Sequence, residues 1–356
     1  MNVSPSQEFT PLMNAQPARV KLSDVASAAG VSRTTVHYAL NTPEDESKLK
    51  PSTRARVLRV AHELGYRPDR RAVSLVQGKT GNIGFIYGWT WPAGRQAILV
   101  PPDPVYSDFV YAAEEKLTER GLTGMVIFAG PYRDPVEIVV QRGVDGLVLF
   151  GHLTEHARMT LSKSPFPVVL VNIYEQLGLP IVNPDDLQGG RIAAEHLYKL
   201  GHRRIAYLEP TVPAHESTLF RRRGILETAA KSGAEPPLLA KDVDALVTHL
   251  KTASPQARPT AVICSTGMIG FEFTQAVLQA HLDIPRDVSV MWFDDSDYAK
   301  ACRPPMTVVR IDGMALGRKA VALLCDKVLR GRMAEATACH LLPVELIERG
   351  STAPPS

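Results

Sequence analysis

Cysteine, tryptophan and long apolar runs are scarce in this chain, and each shortage removes a class of protein. Four cysteines stand among 356 residues, Cys264, Cys302, Cys325 and Cys339. They form no C-x-x-C pair and have no histidine at metal-ligand spacing, so the expectation is buried, reduced thiols in the cytoplasm, with no disulfide framework or zinc site. No run of 18 apolar residues is present to span a bilayer. Met1 to Pro17 holds three prolines, no apolar core and no basic start, which reads as a disordered arm, not a secretion signal. Catalytic signatures are missing as well: there is no G-x-S-x-G elbow and no G-x-x-x-x-G-K-[ST] phosphate loop. Gly189-Gly190 and Gly84-x-x-x-Gly88 are too sparse for a dinucleotide fingerprint. No enzyme activity, cofactor or metal is expected.

What is present is an ordinary globular composition, 45% hydrophobic and 22% charged, with length enough for two or three domains. Net charge is only +3, but it is unevenly spread. Ala18 to Thr80 carries 12 Lys+Arg against 6 Asp+Glu, whereas Gly81 to Ser356 carries 28 against 30. A basic excess confined to one short segment is what neutralising phosphates requires, although a solvated face gives the same count.

That segment contains Lys21 to Asn41, KLSDVASAAGVSRTTVHYALN. Val25, Ala26 and Ala29 share one helical face, with Ser23 as the expected cap. Gly30 follows where the chain must reverse, since a residue without a Cβ accepts positive φ. Ser32 is placed to cap a second helix whose Val36, Ala39 and Leu40 turn inward while Arg33, Thr34, His37 and Tyr38 turn out. The result is a helix-turn-helix with a polar, small or cationic outer face and no apolar seam, which suits the floor of a DNA major groove. A third helix is expected over Ser52 to Leu64, with Val57, Val60, Ala61 and Leu64 inward and Gly65 as its stop.

From Gly81 onward the pattern changes to short apolar runs alternating with amphipathic helices. Strands are expected at Ile83–Tyr87, Gly124–Phe128, Gly146–Phe150, Val168–Ile173, Ile205–Leu208, Ala261–Cys264 and Val288–Phe293. Helices are expected at Asp108–Arg120, Gln188–Leu200, Phe220–Ser232 and Phe271–Ala280. Such alternation means parallel sheets covered by helices on both faces, and the length accommodates two of them.

The pieces D-V-A-x-x-A-G-V-S-x-x-T-V, T-R-x-R-V, E-L-G-Y-x-P and G-K-T-x-x-I-G occur in order and nearly correctly spaced. Together they resemble the headpiece and hinge of the LacI/GalR family of bacterial transcription regulators. The likeness resumes at Gly201-His202-Arg203-Arg204-Ile205, Asp287-Val288-Ser289-Val290 with Asp294-Asp295, and Pro304-Pro305-Met306-Thr307, so it covers almost everything from Val20 onward. It implies an all-α helix-turn-helix headpiece followed by two doubly wound parallel-sheet subdomains of the periplasmic-binding-protein-like type, joined by three crossover strands. The implied layout is an arm over 1–17, a DNA-binding domain over 18–66, a hinge helix and linker over 67–80, and an effector-binding and dimerisation domain over 81–356. The function implied is that of a transcriptional regulator, with a repressor expected, working as a homodimer on double-stranded operator DNA in the cytoplasm, associated with the nucleoid. A small-molecule effector, a sugar or another metabolite, would occupy the cleft of the larger domain. The chain stops soon after Leu346-Ile347-Glu348-Arg349 without a leucine-heptad tail, so a dimer is expected in preference to a tetramer. The competing reading is a ligand-binding module without operator-specific DNA recognition; it leaves the basic headpiece unexplained.

Residue by residue, the resemblance places Arg33 and Thr34 on base edges, where an Arg bonding bidentately to guanine discriminates by about 1–3 kcal/mol. Thr35, Arg54 and the amide at the Ser32 cap are candidates for phosphate contacts, and His37, Tyr38 and Asn41 complete the DNA-facing set. The family usually continues T-V-S-R where this chain has Thr35-Val36-His37-Tyr38, so operator preference should differ at Tyr38. The connection Thr42 to Lys50 is longer than usual and acidic at Glu44-Asp45-Glu46, as expected of a loop arching away from phosphates. Effector contacts map onto Phe150, Asn172, Ser217, Arg221, Thr266 and Asp294, with Arg221, which heads R-R-R-G and matches the family's R-x-x-G, and Asp294 placed to clamp ligand hydroxyls; the alternatives are a solvated helix face for Arg221, Arg222 and Arg223 and a cap on the following turn for Asp294-Asp295. Thr266-Gly267 stands where the family has Asn-Asp, and Trp292 stands for a customary Gly, so a remodelled pocket is expected. Gly88 to Pro104, with Trp89 and Trp91, is longer than the family's turn and reads either as a packed surface loop or as two indoles beside the cleft that stack on a ligand ring. Asp69 to Gln77 matches the hinge helix, too short to persist alone in water, and Leu75 matches the leucine that wedges into the minor groove at the operator centre. Leu75→Ala is therefore expected to weaken specific binding far more than non-specific binding in paired titrations on operator and random duplexes; equal losses would refute the assignment.

Overall fold

The computed structural model describes residues 20–41, 49–67, 79–88, 104–128, 137, 141–151, 153, 155–161, 163–164, 166–210, 215–330 and 338–356. The expected N-terminal arm, most of the acidic connection, the hinge helix with Leu75, and the Trp89–Trp91 stretch lie outside these residues. The chain divides into two compact units, Met1–Thr80 and Gly81–Ser356.

The first unit is a three-helix bundle of α1 (Leu22–Ala29), α2 (Arg33–Asn41) and α3 (Pro51–Glu63). Val25, Ala26, Ala29, Val36, Ala39, Val57 and Ala61 form its core, ringed by Val20, Leu22, Val31, Leu40, Leu49, Val60 and Tyr66. Small residues predominate, so the helices approach closely. Two local expectations need correction. Ser23 lies inside α1; the cap position is Lys21, whose amide donates to the Asp24 carboxylate at 2.8 Å. The acid serves there because a carboxylate at the first turn both accepts an orphan amide and opposes the helix dipole. Leu64 ends the third helix and is 39% exposed, since the Tyr66 amide turns back to the Ala61 carbonyl at 2.8 Å and closes the helix one residue early.

The second unit holds two six-stranded sheets. The first has β1 (Asn82–Gly88), β2 (Thr123–Phe128), β3 (Gly146–Gly151), β4 (Val168–Val171), β5 (Ile181–Pro184) and β11 (Cys339–Leu342), in the order β11-β5-β4-β3-β1-β2. The second has β6 (Ile205–Leu208), β7 (Leu238–Ala240), β8 (Ala261–Cys264), β9 (Ser289–Phe293), β10 (Thr307–Arg310) and β12 (Glu345–Ile347), in the order β12-β10-β9-β8-β6-β7. Every neighbouring pair is parallel except β10 with β12. Helices α4 (Pro104–Thr118), α5 (Glu155–Leu161) and α11 (Gly313–Arg330) serve the first sheet. Helices α6 (Asp186–Lys199), α7 (Glu216–Ser232), α8 (Val243–Thr252), α9 (Gly267–Gln279) and α10 (Asp297–Ala301) serve the second. The chain crosses between sheets three times, from β5 to α6, from β10 to α11 and from β11 to β12. Each sheet is thus buried on both faces, which is why its central strands read as unbroken apolar runs.

Strand alternation decides where the unusual Trp292 goes. Phe293 faces the core under α6 and α7, while Trp292 faces the opposite core under α8 and α9, wholly buried against Gly270. The tryptophan is therefore core filling and does not remodel a pocket, contrary to expectation. The thiols also differ from one another: Cys264 and Cys325 are buried, Cys302 is half-buried and Cys339 is exposed, all unpaired. Cys339 escapes burial because it lies on the edge strand β11. Among the described residues no helix is long and apolar enough to cross a membrane, and no cluster of three His, Cys, Asp or Glu side chains is placed to hold a metal ion.

Helices α6 and α7 touch backbone to backbone. A Cβ built at Gly190 would fall 2.0 Å from the Arg221 carbonyl oxygen, and one at Gly224 would fall 2.2 Å from the Leu187 carbonyl oxygen. On an exposed helix Gly→Ala stabilises by about 0.5–1 kcal/mol. Here the neighbour is backbone, so overpacking reverses the sign and Gly224→Ala is expected to destabilise by about 1–3 kcal/mol. Urea unfolding of the variant measures this, and a gain in stability would contradict the close contact.

Candidate DNA-reading face and effector cleft

The recognition surface begins with Gly30, whose φ of 62° turns the chain out of α1. The Ser32 hydroxyl then accepts from the Thr35 amide at 3.1 Å and pairs with the Thr35 hydroxyl at 2.9 Å, which fixes where α2 starts. The same bonds occupy the Thr35 side chain, leaving the first-turn amides as its contribution to an anion site. Arg33 and Thr34 are exposed, and among the described residues their side chains make no hydrogen bond or ion pair. Tyr38 is 55% exposed and stands edge-on to the half-buried His37, ring centroids 6.2 Å apart. Arg54 is half-buried on α3, and Asn41 is the last residue of α2. α2 thus buries Val36 and Ala39 and presents a cation, a hydroxyl and a phenol outward.

The second candidate site is built at the carboxyl ends of the strands. Leu208, Cys264 and Trp292 are in register across β6, β8 and β9, so the residues just beyond them emerge side by side. His215 caps α7, its Nδ1 accepting from the Ser217 amide at 3.1 Å and pairing with the Ser217 hydroxyl at 2.8 Å. One turn on comes Arg221, 4% exposed. Its Nε donates to Asp186 Oδ1 at 2.6 Å, its Nη1 donates to the Ser265 carbonyl at 2.5 Å, and its guanidinium lies 4.2 Å over the Phe293 ring. The alternative of a solvated arginine face holds only for Arg223, exposed and paired with Glu227, because Arg222 is half-buried against the buried Glu209. Asp294 is 6% exposed and accepts from the Gly267 amide at 3.4 Å. It does not cap the next helix; Ser296 does, while Asp295 pairs with Arg349 at 2.7 Å. Thr266 caps α9, its hydroxyl accepting from the Ile269 amide at 3.4 Å.

On the first sheet's side, Asn172 is the first residue past β4, and its Oδ1 is buried without a partner. The Ser265 hydroxyl, beside Thr266, is orphaned in the same way. Asn172 at φ 53° and Asp294 at φ 79° are two of the three described non-glycine residues with positive φ, a backbone strain that concentrates at functional positions. Phe150 is placed differently: it is 3% exposed and packs with Tyr87, Tyr106 and Phe109 in the core of the first sheet. The structure thus gathers Arg221, Thr266 and Asp294, sets Ser217 one turn from Arg221, and puts Phe150 in the core.

Sequence reading missed Asp186 and Tyr174. Asp185 caps α6 by accepting from the Gln188 amide at 2.9 Å, and the adjacent Asp186 turns inward to Arg221 and accepts from the Tyr174 hydroxyl. Two consecutive acids at a helix start are the only trace in the sequence.

Burial raises Asp186 to about 6, although Arg221 pulls the other way. Burial likewise raises Asp294. For Arg221 burial acts downward, but Asp186 and Asp294 outweigh it and its pKa is raised. Because native Asp186 holds its proton more tightly than the unfolded chain does, its stabilising contribution is fully present below about pH 4 and is lost as pH rises through about 6. Asp186→Asn cannot titrate, so denaturation curves from pH 4 to 7 are expected to lose that segment of the pH slope. An unchanged slope would contradict the buried, titrating carboxyl.

Comparison with known proteins agrees with this architecture. Residues 21–69 match the family model described as bacterial regulatory proteins, lacI family, and residues 194–352 match the periplasmic binding protein-like domain. The transcriptional regulator reg1 of Streptomyces lividans is 31% identical over 357 residues, covering 94% of this chain and 96% of that protein. The transcriptional repressor CytR of Escherichia coli is 26% identical, covering 95% and 97%. Among solved structures, the lac repressor dimer bound to operator and the anti-inducer ONPF superposes with a TM-score of 0.75 at 23% identity, covering 94% of this chain and 99% of that one. The CelR–cellobiose complex gives 0.64 at 24% identity, covering 94% and 100%. With a helix-turn-helix unit, two crossover-linked parallel sheets and full-length relatives at this identity, the chain belongs to the LacI family of DNA-binding transcriptional regulators.

Proposed function

We propose that this protein is an operator-specific repressor, acting as a homodimer in the cytoplasm on the nucleoid, whose grip on DNA is set by a small molecule held between the two subdomains. The observation that carries the DNA half is the outward face of α2, where Arg33 and Thr34 stand uncommitted on a helix whose start is fixed by Ser32. Arg33 and Thr34 read base edges; Thr35, Arg54 and the Ser32 amide hold phosphates; His37, Tyr38 and Asn41 border the groove; and Leu75 enters the minor groove. A dimer doubles these contacts on a near-palindromic site. The lac repressor structure bound to operator supports this arrangement by fold.

The effector half rests on the charge balance around Arg221. Its positive charge is already met by Asp186, so Asp294 is the uncompensated charge, and the Asn172 and Ser265 oxygens offer further acceptors. This set favours an uncharged ligand rich in hydroxyl donors and disfavours anions, because a second buried negative charge would lack a partner. Arg221, Asp294, Asn172, Ser217 and Thr266 are its contacts; Phe150 supports them from the core. The cellobiose-bound relative is consistent with this class. Residues 1–17, 18–66, 67–80 and 81–356 then act as arm, reader, hinge and sensor. No catalytic role is assigned to any residue, and the relatives named above are transcriptional regulators.

The test is a mobility shift on promoter DNA next to the protein's own gene at several salt concentrations. Arg33→Ala is expected to cost about 1–3 kcal/mol on the specific site and to relax base preference at one position in each half-site. Uniform weakening on all sequences would instead make Arg33 a phosphate contact.

A further inference from the structure

Tyr174 lies in the loop between β4 and β5, which both belong to the first sheet. Three of its contacts belong to the other subdomain. Its ring stacks on Phe220 of α7, centroids 4.9 Å apart and planes inclined by 25°. It stands edge-on to His215, the α7 cap, at 6.0 Å. Its hydroxyl donates to Oδ2 of Asp186, the first residue of α6. The loop that carries it is fixed at its root. The Asn183 side chain accepts from the Ile173 amide at 3.1 Å and donates to the Ile173 carbonyl at 2.9 Å, and Arg158 of α5 pairs with Glu175. A residue anchored on one subdomain therefore places a ring and a hydroxyl on the other, and the hydroxyl meets the same carboxylate that holds Arg221.

We propose that Tyr174 is a built-in latch across the cleft: through Asp186 and Phe220 it holds the two subdomains together before any effector binds, and it positions Arg221 by sharing Asp186. The carboxylate is shared by division, Oδ1 to the Arg221 guanidinium and Oδ2 to the Tyr174 phenol. An effector that draws Arg221 or Asp186 toward itself exchanges this internal contact for its own, so the latch sets how much a ligand must gain before the subdomains move. The idea deepens the reading of this cleft as the effector site, but its test uses neither DNA nor effector, so the two stand or fall separately.

The measurement is hydrogen exchange by mass spectrometry on the full chain at neutral pH, comparing wild type with Tyr174→Phe, Asp186→Asn and the double variant. Tyr174→Phe keeps the ring and its stacking and removes only the hydroxyl. Exchange is expected to accelerate about tenfold or more in peptides covering 172–180 on one subdomain and 215–222 on the other, the effect of losing a hydrogen bond to a charged group. Peptides from β8 and β9 should remain at the wild-type rate, which also reports that the variant is folded. Because both groups act through one bond, the double variant should be no faster than the faster single variant in peptide 172–180. Acceleration confined to 172–180, acceleration equal in every peptide, no acceleration, or additive effects in the double variant would each overturn the latch.

Discussion

The buried pair of Arg221 and Asp186 is the constraint around which the larger unit is arranged. Neither group is tolerable alone in that interior, because removing one partner of such a pair costs about 3–5 kcal/mol through the charge left behind. Keeping them together requires α6 and α7 to touch, and they do so only because Gly190 and Gly224 carry no side chain where each meets the other helix's backbone. From that contact the rest follows. Arg221 reaches the Ser265 carbonyl at the end of β8, lies over Phe293 at the end of β9, and leaves Asp294 as the open acceptor. The pair is better understood as a device for placing groups than as a source of stability, since a buried ion pair roughly cancels its own desolvation.

The small unit follows a different logic. Its core is built from Val and Ala, so its helices pack closely and little apolar area is buried. A domain of this size has a modest margin of stability. Its position-fixing features are local ones: the reversal at Gly30, the Ser32 cap and the turn closing α3 at Gly65. These fix the outward direction of Arg33 and Thr34 without drawing on the large unit, and the basic excess of this segment supplies the non-specific attraction to phosphates on which reading depends.

Much of this was legible in the sequence, and the reasons for the rest are physical. Most central strands announced themselves because burial on both faces makes them uniformly apolar, as in Val-Val-Leu-Val of β4. The interior strands β5 and β10 did not, since Asn183-Pro184 and the flanking Thr307 and Arg310 break up their four-residue runs, nor did the edge strands β7, β11 and β12, where three or four residues with one exposed side resemble a loop. Arg221 was found through R-x-x-G, and the glycine of that motif is the one α6 approaches. Phe150 at a strand end and Phe150 in a core read identically, and only the three rings around it decide. Asp186 was hidden beside Asp185, because one acid at a helix start suffices for a cap and nothing marks the second as inward. Tyr174 had no signal at all: a lone aromatic in a loop acquires meaning only when the other subdomain is in place.

Selection of one DNA sequence through paired copies of α2 is what the proposed function requires. The most direct test is selection of bound duplexes from a random pool by the purified full-length protein at physiological salt. Enrichment is expected of one near-palindromic site whose half-sites lose a preferred base when Arg33 is replaced by Ala. A bound pool that remains as random as the input, with and without candidate hydroxyl-rich ligands, would contradict it.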